Sequence, residues 1–195
     1  KGMEIDGDKI IALFAKHLNQ LNKTNSKFPI ITTVMSNLGL EKYLLNKLKI
    51  KLKRSAVGDI NVIQKMVKFN SILGGEQSGH IILSNFSKTG DGILAALKVI
   101  EIISKNNKTT SKSFRLYESF PQNKVNISYK KVLTKNLKFI ENLNKEKLKD
   151  KNMRILIRKS GTEPLIRLLV EGRDINKVQE YSKYYEKKIR IKLEK

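Results

Sequence analysis

Apolar residues at Ile10, Leu13, Phe14, Leu18 and Leu21 recur at helical spacing, predicting an amphipathic helix near the start of the chain with Asp8 as its N-cap. The pattern then changes. Phe28 to Val34 (FPIITTV) is rich in β-branched residues and predicts a strand, after which Leu40, Tyr43, Leu44 and Leu48 return to the helical period. A short strand at Ile50 to Lys53, a turn at Val57-Gly58-Asp59 and a helix carrying Ile63, Met66 and Val67 continue the alternation. Ser71 to Leu73, a glycine-rich loop at Gly74 to Gly79, a strand at His80 to Ser84 and a helix from Gly92 to about Ser104 complete it. Strand and helix in alternation predict an α/β domain with three layers around a mixed, largely parallel sheet.

The polar run KNNKTTSKS, Lys105 to Ser113, reads as a linker, which places the domains at 1–111 and 112–195. Beyond it the rhythm differs. A strand near Lys124 to Lys130 precedes a helix around Lys135 to Leu148, and strands Arg154 to Lys159 and Leu165 to Gly172 flank an SGTEP turn. Asp174 is positioned to cap a last helix whose apolar stripe is Val178, Tyr181, Tyr185 and Ile189. Strands joined by turns, with helices on one face, predict a small α+β domain.

At 195 residues the chain is long enough for both domains to bury a core. The absence of cysteine excludes a disulfide framework and a thiolate metal site, and fits a cytoplasmic protein. With 2 histidines, a histidine-based metal site has little to draw on; no metal ligands are assigned. The longest apolar-rich run, GILAALKVIEII from Gly92 to Ile103, is too short to span a bilayer, so no membrane partner is expected. Lys1-Gly2 begins neither with an initiator methionine nor with a signal-peptide pattern, and the sequence is expected to open inside a longer protein. Lys+Arg 40 against Asp+Glu 18 gives a formal charge of +22. The lysines are scattered through every segment, often beside asparagine, and no nucleic-acid motif accompanies them, so a dedicated nucleic-acid role is not expected.

Two short stretches carry candidate chemistry. In RKSGTEPLIR, Arg158 and Arg167 offer guanidinium forks matched to a phosphate, Ser160 and Thr162 offer hydroxyls, and Gly161 lets backbone N–H groups converge on an anion. Glu163 repels phosphate and is assigned to orienting an arginine or ordering the turn. The stretch is therefore a phosphate cradle or a solvated hairpin with surface arginines. In GGEQSGH, Glu76 can accept hydrogen bonds from adjacent hydroxyls, and Ser78 and His80 can donate or accept, which suits a sugar. The alternative is a glycine-rich connection facing water, with His80 a lone structural histidine. His17, on the apolar side of the first helix, reads as a core or boundary residue.

Together the two stretches resemble the α-D-phosphohexomutases, and most closely their phosphoglucosamine mutase branch. The matching segments are EIDGDKI (Glu4 to Ile10), TVMSNLGLE (Thr33 to Glu41), AVGD (Ala56 to Asp59), GGEQSGHIIL (Gly74 to Leu83), TGDGI (Thr89 to Ile93) and RKSGTEPLIRLLVEG (Arg158 to Gly172). The resemblance implies a third domain reading the sugar through Glu76, Ser78 and His80. It also implies a small α+β (TBP-like) fourth domain gripping the phosphate that is not transferred, through Arg158, Ser160, Gly161, Thr162 and Arg167. The implied reaction interconverts glucosamine 6-phosphate and glucosamine 1-phosphate through a hexose bisphosphate, with mannose and glucose phosphates as alternative substrates and a non-catalytic phosphosugar-binding remnant of a split gene as the alternative role. The family's phosphoserine loop and its magnesium loop, D-G-D-x-D-R, belong to earlier domains. Asp6-Gly7-Asp8 is followed by Lys9 and Ile10, so it lacks the third aspartate and the arginine and is not assigned to Mg2+. No catalytic residue is assigned here; the missing N-terminal domains are the implied partners, and the chain alone is expected to be inactive. Ile60 departs from the pattern, in which a basic residue often follows AVGD.

Overall fold

The computed structural model describes residues 2, 4–21, 28–129, 134–145, 148, 150–161 and 163–193. The chain divides into two compact units, Lys1–Ser119 and Phe120–Lys195.

In the first unit, strands β1 (Ile30–Thr33), β2 (Leu52–Ser55), β3 (Leu73–Gly75) and β4 (Ile81–Leu83) form one sheet in the order β2-β1-β3-β4. β1 runs parallel to β2 and β3, whereas β4 pairs antiparallel with β3. Because successive residues of a strand face opposite ways, Ile30, Leu73, Ile81 and Leu83 point to one face and Ile31 and Ile82 to the other. The first face is covered by helices α1 (Gly7–Gln20), α2 (Leu38–Leu48), α4 (Gly92–Lys105) and α5 (Thr110–Phe114). Through Val62 and Met66, α3 (Asp59–Lys68) covers the second. Three layers result.

The N-cap of α1 is Asp6, whose Oδ1 accepts from Lys9 N at 3.0 Å, rather than Asp8, which lies in the first turn and is fully buried. The run read as a linker contains α5, capped by Thr109 Oγ1. Its Phe114 is buried in the first core, and the following Tyr117 stacks on Tyr43 of α2, so 112–119, assigned above to the second domain, packs with the first. A single apolar anchor in a polar run gives no periodicity to read.

The second unit is a three-stranded antiparallel sheet in the order β5-β7-β6, from β5 (Gln122–Ser128), β6 (Met153–Lys159) and β7 (Leu165–Gly172). Ile166, Leu168 and Val170 of the central strand pack with Ile140 and Leu143 of α6 (Thr134–Lys145) and with Val178, Tyr185 and Ile189 of α7 (Ile175–Leu193). Both helices therefore lie on one face. Asp174 caps α7, its Oδ1 accepting from Asn176 N at 2.9 Å. Of the expected last apolar stripe, Val178, Tyr185 and Ile189 are buried, and Tyr181 packs at the margin.

The other face of this sheet mixes Leu156, Leu165 and Leu169 with charged and polar residues ordered by register. Glu171, fully buried on the central strand, stands opposite Gln122 on one side and Arg154 on the other. Its carboxylate accepts from Gln122 Nε2 at 2.7 Å and from Arg154 Nε at 2.5 Å.

Candidate functional site

Strands β1, β2 and β3 are parallel, so the segments that follow them, Val34–Asn37, Ala56–Gly58 and Glu76–His80, emerge at the same edge of the sheet. That carboxyl edge is where open α/β sheets bind ligands. The glycine-rich loop is shorter than expected, because Gly74 and Gly75 pair within the sheet. Its turn is closed by Glu76 N donating to His80 O at 2.9 Å and Gly79 N donating to Glu76 O at 3.0 Å. Gly79 has φ +103°, a left-handed conformation that a side chain would strain.

Glu76 Oε1 accepts from Gly58 N at 3.0 Å, which ties the loop to the AVGD turn and leaves Oε2 for an outside donor. Ser78 is exposed at the tip. His80 packs against Gly90 of the TGDG segment, and its buried Nε2 lies 4.0 Å from Asp59 Oδ2, with no hydrogen-bond partner among the described residues. Gly58 and Asp59 thus lie against the Glu76–His80 loop, an adjacency that no local spacing announces. Ile60, next along, is exposed.

Neither aspartate of Asp6-Gly7-Asp8 resembles a metal ligand, since Asp6 caps α1 and Asp8 Oδ2 accepts from Asn37 N at 2.7 Å. Among the described residues no group of three histidines or carboxylates could hold a metal. Burial pushes the Asp8 carboxyl up to about 6, with the Asn37 N–H and the Ser36 hydroxyl pulling it back. A raised folded value means that stability is full below the ordinary carboxylate range and is lost as pH rises through about 6. Asp8→Asn keeps an acceptor for Asn37 and removes the charge, so it should stabilise the protein at pH 8 by up to about 3 kcal/mol and give no gain near pH 4. Urea unfolding of both proteins at the two pH values checks this; an equal difference at both would contradict it.

In the second unit, Arg158 of β6 stands directly opposite Arg167 of β7, with Asn126 of β5 on the other side of Arg167. Like charges directly opposite destabilise a sheet unless something neutralises them. Glu163 engages Arg167 Nη2, as assigned from the sequence, yet Arg167 Nε is buried with no partner among the described residues. Burial and then the charge of Arg167 lower the proton affinity of Arg158. Ser160 is buried at the mouth of the hairpin, its N–H donating to Leu165 O at 2.8 Å, and Gly161 is exposed beside it. Thr162 lies outside the described residues. A tetrahedral anion could take hydrogen bonds from both guanidinium groups.

Comparison with known proteins places both units. The family model for phosphoglucomutase/phosphomannomutase α/β/α domain III matches residues 6–120, and that for the C-terminal domain matches 123–187. The chain belongs to the phosphoglucomutase/phosphomannomutase family. It is 45% identical over 176 residues to the phosphoglucosamine mutase of Sulfurovum sp. (strain NBC37-1), covering 89% of this chain and 39% of that protein. The phosphoglucosamine mutase of Fusobacterium nucleatum is likewise 45% identical, over 181 residues, with the same coverage. The chain thus spans 39% of the length of these curated relatives. Among solved structures, Aspergillus fumigatus N-acetylphosphoglucosamine mutase in complex with GlcNAc-6P and magnesium shares the fold at TM-score 0.77 and 18% identity, over 96% of this chain and 44% of that one. An N-acetylglucosamine-phosphate mutase of the α-D-phosphohexomutase superfamily in its substrate complex superposes at TM-score 0.73 with 23% identity, over 94% and 44%.

Proposed function

We propose that this chain is the substrate-holding part of a phosphoglucosamine mutase, an isomerase interconverting glucosamine 6-phosphate and glucosamine 1-phosphate by phosphoryl transfer. The observation that carries the reading is the in-register pair Arg158 and Arg167, the latter with a buried Nε that has no partner among the described residues. Relatives 45% identical and named phosphoglucosamine mutase support it. Arg158 and Arg167 hold the phosphate that stays on the sugar, with Ser160, Gly161 and Thr162 closing the cradle; Glu76, Ser78 and His80 read the hydroxyls and amine. One phosphate grip serves both phosphate positions if the bisphosphate intermediate turns around between the two transfers.

Phosphoryl transfer requires a nucleophile that stores the phosphoryl group and, in this family, Mg2+ to neutralise its charge. Both are assigned to polypeptide other than these residues, and the chain by itself binds without turning over. Glu76→Gln tests the sugar loop. Glutamine retains an oxygen for Gly58 N but replaces the free carboxylate oxygen with a donor. Affinity for glucosamine 6-phosphate should fall about tenfold with inorganic phosphate unchanged, as measured by calorimetric titration. A parallel loss for both ligands would place Glu76 outside the sugar site.

A further inference from the structure

Asp6-Gly7-Asp8-Lys9 attaches to three separate segments of the first unit. Gly7 N donates to Gln77 O at 2.9 Å, and Gln77 Nε2 reaches Asp6 Oδ2 at 3.5 Å. Asp8 Oδ2 takes the Asn37 N–H, so the turn after β1 is fastened to the same point. Lys9 Nζ donates to Tyr117 O at 2.5 Å and sits 3.6 Å over the Tyr117 ring, which fastens the end of the unit.

Contact is tightest at Gly7. A Cβ built there would lie 2.1 Å from Glu76 O and 2.8 Å from Gly79 N, both backbone atoms that cannot swing aside. The carbonyl that touches Gly7 belongs to the residue whose carboxylate binds Gly58 N, so moving one moves the other.

We propose that Asp6–Lys9 is the positioning element of the sugar-reading loop, with Gly7 setting the height of Glu76 above the sheet edge. The proposal rests on the reading of Glu76–His80 as the sugar loop. Its residues act through the loop and touch no substrate. They make specificity for the sugar depend on the first turn of a helix, α1.

Gly7→Ala in the full chain is the test. The loop must shift by about 1 Å to clear the new Cβ, a displacement of the size that is costly in a recognition site. Affinity for glucosamine 6-phosphate should fall at least about tenfold while that for inorganic phosphate stays within twofold. The chain has 2 histidines, so proton NMR separates the cases: the His80 resonance should move and that of His17, far along α1, should not. An unmoved His80 resonance overturns the positioning proposal whatever the ligands do. A parent chain that binds glucosamine 6-phosphate no better than phosphate would instead overturn the sugar-loop reading. If Gly7→Ala shows no cooperative thermal transition, Asp6→Ser decides: it preserves an N-cap and loses the Gln77 contact. That variant should shift His80 and weaken glucosamine 6-phosphate about threefold, and parental values for both would overturn the proposal.

Discussion

Arg158→Ala should weaken glucosamine 6-phosphate binding by roughly ten- to a hundredfold, while Lys159→Ala should change it by less than about twofold. Consecutive residues of a strand face opposite ways. Arg158 shares its face with Arg167, its register partner, whereas Lys159 is exposed beyond it. Removing Arg158 takes away one fork of the proposed cradle and also relieves the repulsion between two cations. The variant should therefore be no less stable than the parent in the absence of ligand, even as it loses affinity. Titration calorimetry and urea unfolding on the same preparations measure both. Equal small effects of the two substitutions on binding would remove the phosphate assignment.

The second large effect concerns stability. Glu171→Ala should cost about 3 to 5 kcal/mol, because it leaves the Arg154 guanidinium, only 19% exposed, without the buried carboxylate it grips. The pair is not expected to be strongly stabilising as such. Replacing both partners together, Arg154→Met with Glu171→Leu, should recover most of the loss, since apolar residues of similar volume often do as well as a buried ion pair. Urea unfolding of the two single variants and the double variant settles this. A single-variant loss below about 1 kcal/mol would show that the carboxylate is not held as tightly as its contacts with Arg154 and Gln122 indicate.

Much of the architecture was legible because its signals are local. The stripe Ile10, Leu13, Phe14, Leu18 announced α1, and the β-branched FPIITTV announced β1. The order of the loops and the hairpin around SGTEP were equally open to reading. Register was not. Nothing in RKSGTEPLIR says that Arg158 and Arg167 are direct partners rather than offset by one residue, and a slip of one would send their side chains to opposite faces.

Long-range bonds were hidden for a related reason. The Glu76 carboxylate meets Gly58 N, and Asp8 meets Asn37 N, across separations of 18 and 29 residues that no spacing rule reports. Aspartate before an apolar stripe is commonly a cap, and Asp8 has that position in the sequence. Asp6 fills that role, and Asp8 is drawn inside by its bond to the turn after β1. Val67, included in the expected apolar stripe, is 72% exposed, because α3 buries only Val62 and Met66 deeply.

On the proposed reading, this chain carries recognition loops for a phosphosugar whose phosphate occupies the Arg158–Arg167 cradle. The most direct measurement is a competition titration of the 195-residue chain with glucosamine 6-phosphate, glucosamine 1-phosphate and inorganic phosphate, repeated on Arg158→Ala. Both sugar phosphates should compete for one site, each should bind more tightly than inorganic phosphate, and all three should weaken together in the variant. Binding of the sugar phosphates that is no tighter than that of inorganic phosphate, or that is untouched by loss of Arg158, would contradict the account.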